Sequence, residues 1–190
     1  MPNRKPVAPW NFVPHPRYER VVPSGFNVPE KEIRTFWGYE GETIFPESAI
    51  PANTSRQKYS VFPRRYYVDI LKHCRGCSRP FLFFAREQQH WYEELGFTID
   101  ADCVRCVECR KSDQSLRRTF KHYSENIERK DLDDKEFTKL IEDAVLLSDA
   151  GILQDEQRLR RLRNLARRRI PDRPALANID SVISSIQTRD

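Results

Sequence analysis

Two short stretches of this sequence decide its fold: Cys74-Arg75-Gly76-Cys77 and Cys103-Val104-Arg105-Cys106-Val107-Glu108-Cys109. They hold all five cysteines of the 190-residue chain, and residues 78–105 separate one Cys-x-x-Cys turn from the next. An odd cysteine count, with no apolar export signal after Met1, argues against a disulfide framework. Each turn presents two thiolates from one tight loop, and two such loops close a tetrahedral site. The spacing therefore predicts structural zinc, with one Zn2+ ion per chain.

Two other kinds of chemistry stay open for these cysteines. Cys103-x-x-Cys106-x-x-Cys109 has the internal spacing of an iron–sulfur motif, although the fourth cysteine and the proline of the ferredoxin run are missing. Redox-active or unbound thiols are the third interpretation of the same residues. Zinc is favoured over both because four thiolates in two turns match its tetrahedral preference.

Five cysteines compete for four ligand positions. Apolar side chains recur at helical spacing through residues 110–126, which predicts a helix directly after the last cysteine. Cys106 and Cys109 then lie at its N-terminal turn, where the helix dipole favours a thiolate. Cys103 is the alternate ligand and is otherwise a free thiol nearby. The predicted metal ligands are Cys74, Cys77, Cys106 and Cys109.

The residues around the first cysteine turn predict a small hairpin. β-Branched and aromatic residues indicate strands at residues 65–71 and 79–84. Gly76 is expected to take a positive φ in the turn between them. Residues 85–95 are expected to form a helix, with Trp91 and Leu95 on one side and Gly96 at its end. This order of elements is typical of a zinc ribbon or a treble-clef finger.

The same stretch resembles a known family. The motifs that carry the resemblance are Cys74-Arg75-Gly76-Cys77-Ser78-Arg79-Pro80-Phe81-Leu82-Phe83, Glu87-Gln88, Trp91-Tyr92, Gly96-Phe97 and Arg105-Cys106-Val107-Glu108-Cys109-Arg110. In this combination, residues 66–112 resemble the bacterial probable zinc-ribbon (treble-clef-like) domain family. The resemblance implies that Cys74, Cys77, Cys106 and Cys109 bind zinc, and it implies little else about function. The chain departs from the family pattern at Ser78, where glycine is usual, and in its additional Cys103.

Composition divides the chain into three predicted parts. Residues 1–58 hold most of the 13 prolines and several aromatic residues, which indicates an irregular arm that wraps over the rest of the protein or fills a partner's groove. Asn27 is the predicted cap of one short helix in this arm. Residues 59–126 are the predicted metal module, and residues 131–190 carry three helical patterns without cysteine. The expected fold class is α+β: a small zinc-ribbon or treble-clef module, a proline-rich N-terminal arm and a C-terminal helical bundle.

Cap and stop signals bound the first two helices of the C-terminal part. The first is expected to begin at Asp131 and to end at Gly151. The second is expected to begin at Asp155 and to stop at Pro171. Its predicted buried stripe consists of Leu159, Leu162, Leu165, Ala166 and Ile170.

The second helix carries seven arginines between positions 158 and 169, which could lie along the phosphates of RNA or DNA. The alternative follows from the neighbouring charges. Residues 131–156 carry nine acids and two lysines, whereas residues 157–173 carry eight arginines and one acid. Two antiparallel helices with these charges would neutralise each other along their seam. The predicted nucleic-acid-binding residues are Arg160, Arg161, Arg163, Arg167 and Arg168.

Basic residues also surround the cysteines, where a four-thiolate zinc centre has a formal charge of −2. Cations near the sulfurs would offset that charge, which is their expected role. The mixed stretch Arg64-Arg65-Tyr66-Tyr67 suits stacking on unpaired bases, although these aromatic rings fit a hairpin core better. The basic residues in question are Lys72, Arg75, Arg79, Arg105, Arg110 and Lys111.

Composition and motifs narrow the class of function. With 32% charged residues and a longest apolar run of only residues 80–85, the chain is expected to be soluble, cytoplasmic and without a membrane partner. The net charge of +5 is too mild to establish a nucleic-acid partner. No catalytic motif is present, and His122 with Asn126 is only a partial match to a His–Asn–His nuclease. The sequence therefore predicts a non-catalytic protein that contacts nucleic acid or the ribosome; a protein–protein adaptor and a redox or metal-responsive switch using Cys103 are the alternatives.

Overall fold

The structure is a computed structural model, and it describes residues 12–59, 61–171 and 174–187, without the side chains of residues 186 and 187. The chain divides into two compact units, Met1–Arg110 and Lys111–Asp190. The first contains the sheet and the cysteine turns, and the second consists of helices. This is an α+β protein, as expected. The three-part organisation expected from composition stays a prediction.

A three-stranded antiparallel sheet forms the centre of the first unit, in the order β1 (Thr43–Pro51), β2 (Tyr66–His73), β3 (Pro80–Phe83). Strand β2 pairs with β3 from Ile70 opposite Phe83 to His73 opposite Pro80. The hairpin thus lies where the β-branched and aromatic residues predict it. The first cysteine turn closes it, so the two cysteines of this turn follow directly from the end of β2.

Strand β1 was not predicted from the sequence because it contains Pro46 and lies in a proline-rich segment. Proline cannot donate a backbone hydrogen bond and is tolerated on edge strands or at bulges. Both conditions hold: β1 is an edge strand, and its register with β2 shifts between Phe45 and Ile50. The long antiparallel pairing with β2 therefore overrides the local proline signal.

The arm packs on the sheet from residue 13 onward. Val13, Val28, Ile33, Phe36 and Tyr39 are all buried in the same core as β2. This packing agrees with an arm that wraps over the rest of the protein.

The short helix of the arm differs from the prediction. Helix α1 is a single turn, Glu30–Ile33, with Pro29 rather than Asn27 at its N-cap and no side-chain cap hydrogen bond. A separate 3-10 turn, Trp37–Tyr39, follows it. Because the chain leaves the helix after Ile33, Trp37 lies 60% exposed while Tyr39 is buried.

Helix α2 (Ala85–Gln89) continues as a wider π-turn, His90–Glu94, and ends at Gly96, which has a φ of +68°. Trp91 is partly buried beside Phe83, with ring centroids 5.0 Å apart. Leu95 was expected on the same buried side, but it is 53% exposed. Tyr92 and Glu93 are the buried residues of this π-turn, and Leu95 follows it as the C-cap residue.

A buried polar cluster, which we call the Gln88 hub, joins α2 to the sheet and to the loop before β2. The Gln88 Nε2 amide donates to the carbonyls of Val68 and Phe83, at 2.6 and 2.9 Å. Its Oε1 accepts from Arg64 Nη1 at 3.0 Å and from the Tyr39 hydroxyl at 3.3 Å. Gln88 is fully buried and is the common partner of these groups, although Tyr39 also donates to the Tyr66 carbonyl and Arg64 to the Ile99 carbonyl.

Arg64 is the unusual member of this hub because it is a buried cation without a carboxylate partner among the described residues. Its guanidinium lies 4.4 Å from the centre of the Phe36 ring and 4.8 Å from that of Tyr92. Aromatic faces stabilise a desolvated guanidinium by cation–π attraction. Arg64 is only 5% exposed and Tyr67 is fully buried, which agrees with the preferred hairpin-core interpretation of this stretch and not with stacking on unpaired bases.

The second unit consists of α3 (Val107–Asn126, which begins in the first unit), α4 (Asp134–Asp149), α5 (Glu156–Arg169) and α6 (Pro174–Gln187). Asp133, not Asp131, caps α4 through a capping box with Glu136. Asp131 instead forms an ion pair with Arg129. Asp155 caps α5, as predicted. The described part of this core includes Phe137, Leu140, Ile141, Leu147, Leu159, Leu162, Ala166, Ile170, Ile179 and Ile183.

Leu165 was predicted in the buried stripe of α5, but it is 51% exposed. The buried positions Leu159, Leu162 and Ala166 follow the i, i+3, i+7 pattern of one face, and position 165 turns away from it. No helix of the described chain is long and apolar enough to cross a membrane.

Candidate metal centre

The sulfur atoms of Cys74, Cys77, Cys106 and Cys109 lie within 4.8 Å of one another. The Cys77 and Cys106 Sγ atoms are 3.8 Å apart. A tetrahedral zinc ion with Zn–S bonds of about 2.3 Å places its sulfur ligands about 3.8 Å apart. The donor set and its spacing therefore fit one Zn2+ ion, and a set of four thiolates is characteristic of a structural zinc site.

Two backbone turns present these sulfurs. The first is closed by hydrogen bonds from Ser78 N to Cys74 O, at 2.8 Å, and from Cys74 N to Arg79 O, at 3.0 Å. The second leads into α3, so that Cys106 immediately precedes the helix and Cys109 lies in its first turn. The Arg75 amide donates to the carbonyl of Val104 at 2.9 Å and joins the two turns.

Backbone amides point at the Cys74 sulfur. The amides of Gly76 and Cys106 donate to it at 3.3 and 3.2 Å. Burial raises the pKa of Cys74, but hydrogen bonds from the amides of Cys106, Cys77 and Gly76 outweigh it and hold this pKa at about 6. This pKa lies below the usual value of a thiol, so Cys74 is largely a thiolate, the form that binds a metal ion, at neutral pH.

The thiols of Cys106 and Cys109 resist ionisation when no cation is bound. Burial and the neighbouring thiols raise the pKa of Cys109 to about 12, and burial also raises the pKa of Cys106. Several thiolates within 4.8 Å repel one another, and a divalent cation at their centre removes this penalty. The geometry of the apo thiols therefore calls for a bound metal ion.

Gly76 and Ser78 exchange the roles expected for the first turn. Gly76 was expected to have a positive φ, but the positive φ (+59°) falls on Ser78. Gly76 is instead required for space, because a Cβ there would lie 3.1 Å from the Cys109 sulfur. The left-handed position explains why glycine is usual at position 78 in the family that the sequence resembles.

Replacing Ser78 by glycine should stabilise the protein by about 0.5–1 kcal/mol, because a side chain in the left-handed region is strained. The measurement is thermal unfolding of the zinc-loaded protein, with an expected rise of a few degrees. Ser78→Ala is the matched control, since it removes the hydroxyl but keeps Cβ, and it should bring no gain. A lower melting temperature for Ser78→Gly would show that the serine hydroxyl stabilises the turn.

Cys103 lies outside the group of four sulfurs. It is 1% exposed, and its thiol donates to the carbonyl of Arg105 at 3.4 Å. Burial raises the pKa of Cys103 to about 12, which keeps it protonated at neutral pH. The structure thus brings together the four cysteines preferred from the sequence and leaves the alternate ligand as a buried thiol.

Three of the six basic residues expected to offset the charge of the sulfurs, Lys72, Arg79 and Arg110, form ion pairs with carboxylates. Lys72 lies between Glu42 and Asp102, with N–O distances of 2.8 and 2.7 Å. Arg79 pairs with Glu108 at 2.9 Å. The centre's charge is therefore offset by backbone amides at Cys74 more directly than by side-chain cations.

Glu87 was quoted from the sequence only as part of a family motif, yet it connects the arm to the metal helix. Its Oε1 accepts from Arg110 Nη2 at 2.6 Å, next to the ligand Cys109, and its Oε2 lies 3.5 Å from His15 Nε2 in the arm. The Arg110 guanidinium also lies 4.9 Å from the centre of the Trp91 ring. The Glu-Gln motif thus has two structural roles. Glu87 binds Arg110 at the start of α3, and Gln88 donates hydrogen bonds to the carbonyls of the sheet.

The histidines do not contribute to the centre. His73 is exposed and is not part of the sulfur cluster. His122 forms a hydrogen bond with the buried Asp143, and the Asn126 amide donates to the carbonyl of His122. His122 and Asn126 therefore stabilise the helical unit. The hydrogen bond between them accounts for their spacing of four positions in the sequence.

Comparison with known families supports this site. Residues 68–118 match the family model described as a probable treble clef domain. The matched residues include most of β2, both cysteine turns, β3, α2 and the first half of α3, so this part of the chain is a treble-clef zinc domain, as the resemblance implied. No curated protein and no solved structure matches the chain.

The predicted nucleic-acid-binding arginines of α5 have different surroundings. Arg163 and Arg167 lie 3.7 and 3.2 Å from Asp180 of α6. Arg160 pairs with Glu156 on its own helix at 2.6 Å. Arg161 and Arg168 are exposed, and neither has an ion-pair partner in the described part of the chain.

The expected neutralisation of α5 by the acidic helix α4 is limited to one ion pair. Arg169 Nε lies 2.8 Å from Asp134 Oδ1. Asp180 of α6 contacts two α5 arginines, Arg163 and Arg167, so among the described residues α6 contributes more ion pairs to α5 than α4 does. The acidic segment followed by the basic segment in the sequence therefore predicted the ion pairs of α5 only in part.

Proposed function

We propose that this protein is a zinc-stabilised, non-catalytic interaction protein of the cytoplasm that contacts nucleic acid or the ribosome through α5. The supporting observation is that Arg161 and Arg168 are exposed without a carboxylate partner among the described residues. They lie seven positions apart and therefore on one face, about 10 Å from each other along the helix. Arg160 and Arg167 flank them and are also exposed, but they pair with Glu156 and Asp180, so that Arg161 and Arg168 supply the unneutralised charge of this face.

The zinc centre supports a non-catalytic role for the metal. A catalytic zinc site keeps one coordination position open for water or substrate, whereas four cysteine ligands fill all four. The zinc ion would therefore hold the fold together and leave binding to the protein surface.

The proposal predicts salt-dependent binding to a mixed RNA and DNA pool. Affinity should fall with salt in a log–log plot, because each phosphate contact releases counterions. Replacing Arg161 and Arg168 together by glutamate should weaken binding about tenfold or more and reduce the salt slope by about one per arginine. The measurement is fluorescence anisotropy at several salt concentrations.

The matched control is a double replacement with the same change in net charge elsewhere, Arg56→Glu with Lys31→Glu, both at exposed positions of the first unit. It should leave the salt slope unchanged. Equal losses for both double variants would indicate only a general charge effect, and unchanged binding by the α5 variant would reject α5 as the contact surface.

A protein–protein adaptor is the second candidate function. It is supported by exposed apolar side chains in one loop of the first unit: Tyr59, Val61 and Phe62 are 47%, 68% and 69% exposed. Exposed apolar clusters of this kind are typical of protein-binding surfaces. A stable complex that survives nuclease treatment, and that Phe62→Ser weakens while the α5 variant does not, would favour the adaptor.

The switch based on Cys103 has less support. A reactive thiol is accessible and has a lowered pKa, whereas Cys103 is buried and burial raises its pKa to about 12. Mild peroxide should therefore release zinc at the same rate from the unaltered protein and from Cys103→Ser.

A further inference from the structure

The first unit contains a cavity of about 550 Å3 that shares no residue with the zinc ligands. Its walls come from residues 17–24 of the arm, from β1 and β2, and from the start of α2. Ligand pockets of proteins commonly measure about 300–1,000 Å3. The cavity is therefore large enough for a small organic ligand.

Three arginines line this cavity: Arg17, Arg20 and Arg86. All three are exposed to solvent, and none has an ion-pair partner among the residues that the structure describes. Glu19 and Asp69 are the acidic residues of the lining, so the guanidinium groups outnumber the carboxylates. Guanidinium groups bind phosphate through paired hydrogen bonds.

An aromatic wall lies beside these arginines. Tyr18 is half-buried in the lining, and its ring lies 5.2 Å from that of Phe84, which also lines the cavity. The His15 ring stacks on Tyr18 with centroids 4.8 Å apart and also contacts Phe84 at 5.5 Å, so that the three rings form one cluster. A ring fixed in this way offers a flat surface to an aromatic ligand.

A buried carboxylate completes the lining. Asp69 is 4% exposed, and its Oδ1 accepts a hydrogen bond from the Ala85 amide at 2.7 Å. The Asp69 amide in turn donates to the Ser48 hydroxyl oxygen at 2.8 Å. Burial raises the pKa of Asp69 to about 6, so it is ionised at neutral pH and accepts hydrogen bonds. A carboxylate held in this position suits a hydroxyl or amino group of a ligand.

We propose that this cavity binds a nucleotide. Arg17, Arg20 and Arg86 take the phosphate, the aromatic base lies against Tyr18, and Asp69 accepts a hydrogen bond from a ribose hydroxyl or a base amino group. A free mononucleotide and the 5′-phosphorylated end of a strand share this chemistry. The site is separate from α5 and does not depend on the function proposed for that helix.

Isothermal titration calorimetry of the zinc-loaded full chain tests the proposal with GMP, AMP, the two nucleosides, and a pentanucleotide with and without a 5′-phosphate, at about 0.1 M salt. Each phosphorylated probe should bind about tenfold or more tightly than its partner without phosphate. The double variant Arg20→Ala with Arg86→Ala should lose at least this difference. Arg56→Ala, an exposed arginine outside the cavity, should bind as the unaltered protein does.

The same titrations distinguish a free mononucleotide from the 5′-phosphorylated end of a strand as the ligand. Mononucleotides that bind as tightly as the 5′-phosphorylated pentanucleotide identify a free nucleotide as the ligand, whereas a clear preference for the pentanucleotide identifies a strand end. Equal binding of phosphorylated and unphosphorylated probes, or no binding at millimolar concentration, would overturn the proposal. Because Asp69 also supports the start of α2, the arginine variants rather than Asp69→Asn decide the outcome. The α5 double variant should bind GMP normally, which keeps this result distinct from a failure of the α5 proposal.

Discussion

Replacing Cys74 by serine is expected to abolish zinc binding and to unfold the metal module, residues 59–126. Zinc binding by small four-ligand domains contributes on the order of 10–16 kcal/mol to folding. Cys74 is buried, receives two backbone hydrogen bonds at its sulfur, and is the thiol with the lowered pKa. Its loss therefore removes one of the four metal–sulfur bonds and the thiolate that the backbone amides stabilise. Removal of zinc with a chelator should have the same effect.

Elemental analysis and circular dichroism measure this outcome together. The unaltered protein should contain one zinc ion per chain and no iron. Cys103→Ser is the matched control, because it removes a buried cysteine outside the sulfur cluster and should retain the full zinc content. A zinc-free Cys74→Ser protein with an unchanged spectrum would contradict a structural role for the metal, and substantial iron with loss of metal from Cys103→Ser would assign an iron–sulfur centre instead.

Replacing Gln88 by leucine is the second change for which we expect a large effect, a loss of about 3–5 kcal/mol of stability. Leucine has nearly the same volume but removes the two hydrogen bonds from the Gln88 amide to the strand carbonyls of Val68 and Phe83. It also removes the side-chain acceptor of Arg64, a buried cation without a carboxylate nearby. Substitutions that remove the partner of a buried charge are among the most destabilising in proteins.

Urea unfolding of the zinc-loaded protein measures this loss. The neighbouring Gln89→Leu is the matched control, since Gln89 is half-buried and its amide makes only two long contacts: it accepts from Arg86 Nη1 at 3.3 Å and donates to Glu93 at 3.5 Å. It should change the free energy of unfolding by less than about 1 kcal/mol. Similar losses for Gln88→Leu and Gln89→Leu would indicate that the Gln88 hub does not hold the sheet and α2 together.

The metal site could be predicted from the sequence because its information is local. Two Cys-x-x-Cys turns have few structural solutions, and a helix that begins at Cys106 limits which cysteines can share one ion. The preference for Cys106 and Cys109 over Cys103 followed from the helix signal alone. The structure brings the preferred four sulfurs together.

Long-range contacts limited the remaining predictions. Strand β1 contains Pro46, and only its pairing with the distant β2 makes a strand of it. The positive φ expected at Gly76 falls on Ser78. Gly76 instead leaves space for the sulfur of Cys109, which comes from another part of the chain. Leu165 was assigned to the buried face of α5 because it belongs to the apolar pattern of that helix. The buried stripe is narrower than the apolar pattern, and Leu165 is exposed.

By itself, the sequence determined the class of the protein: an α+β fold with a treble-clef zinc domain, four cysteine ligands and a helical C-terminal region. These features depend on residues close together in the chain, where spacing, caps and periodicity leave few alternatives. The tertiary structure decided which arginines of α5 are free, where the buried Arg64 finds its aromatic rings, and that the arm, β1 and α2 enclose a cavity. Each of these depends on groups brought together from distant positions, and no local pattern encodes that proximity.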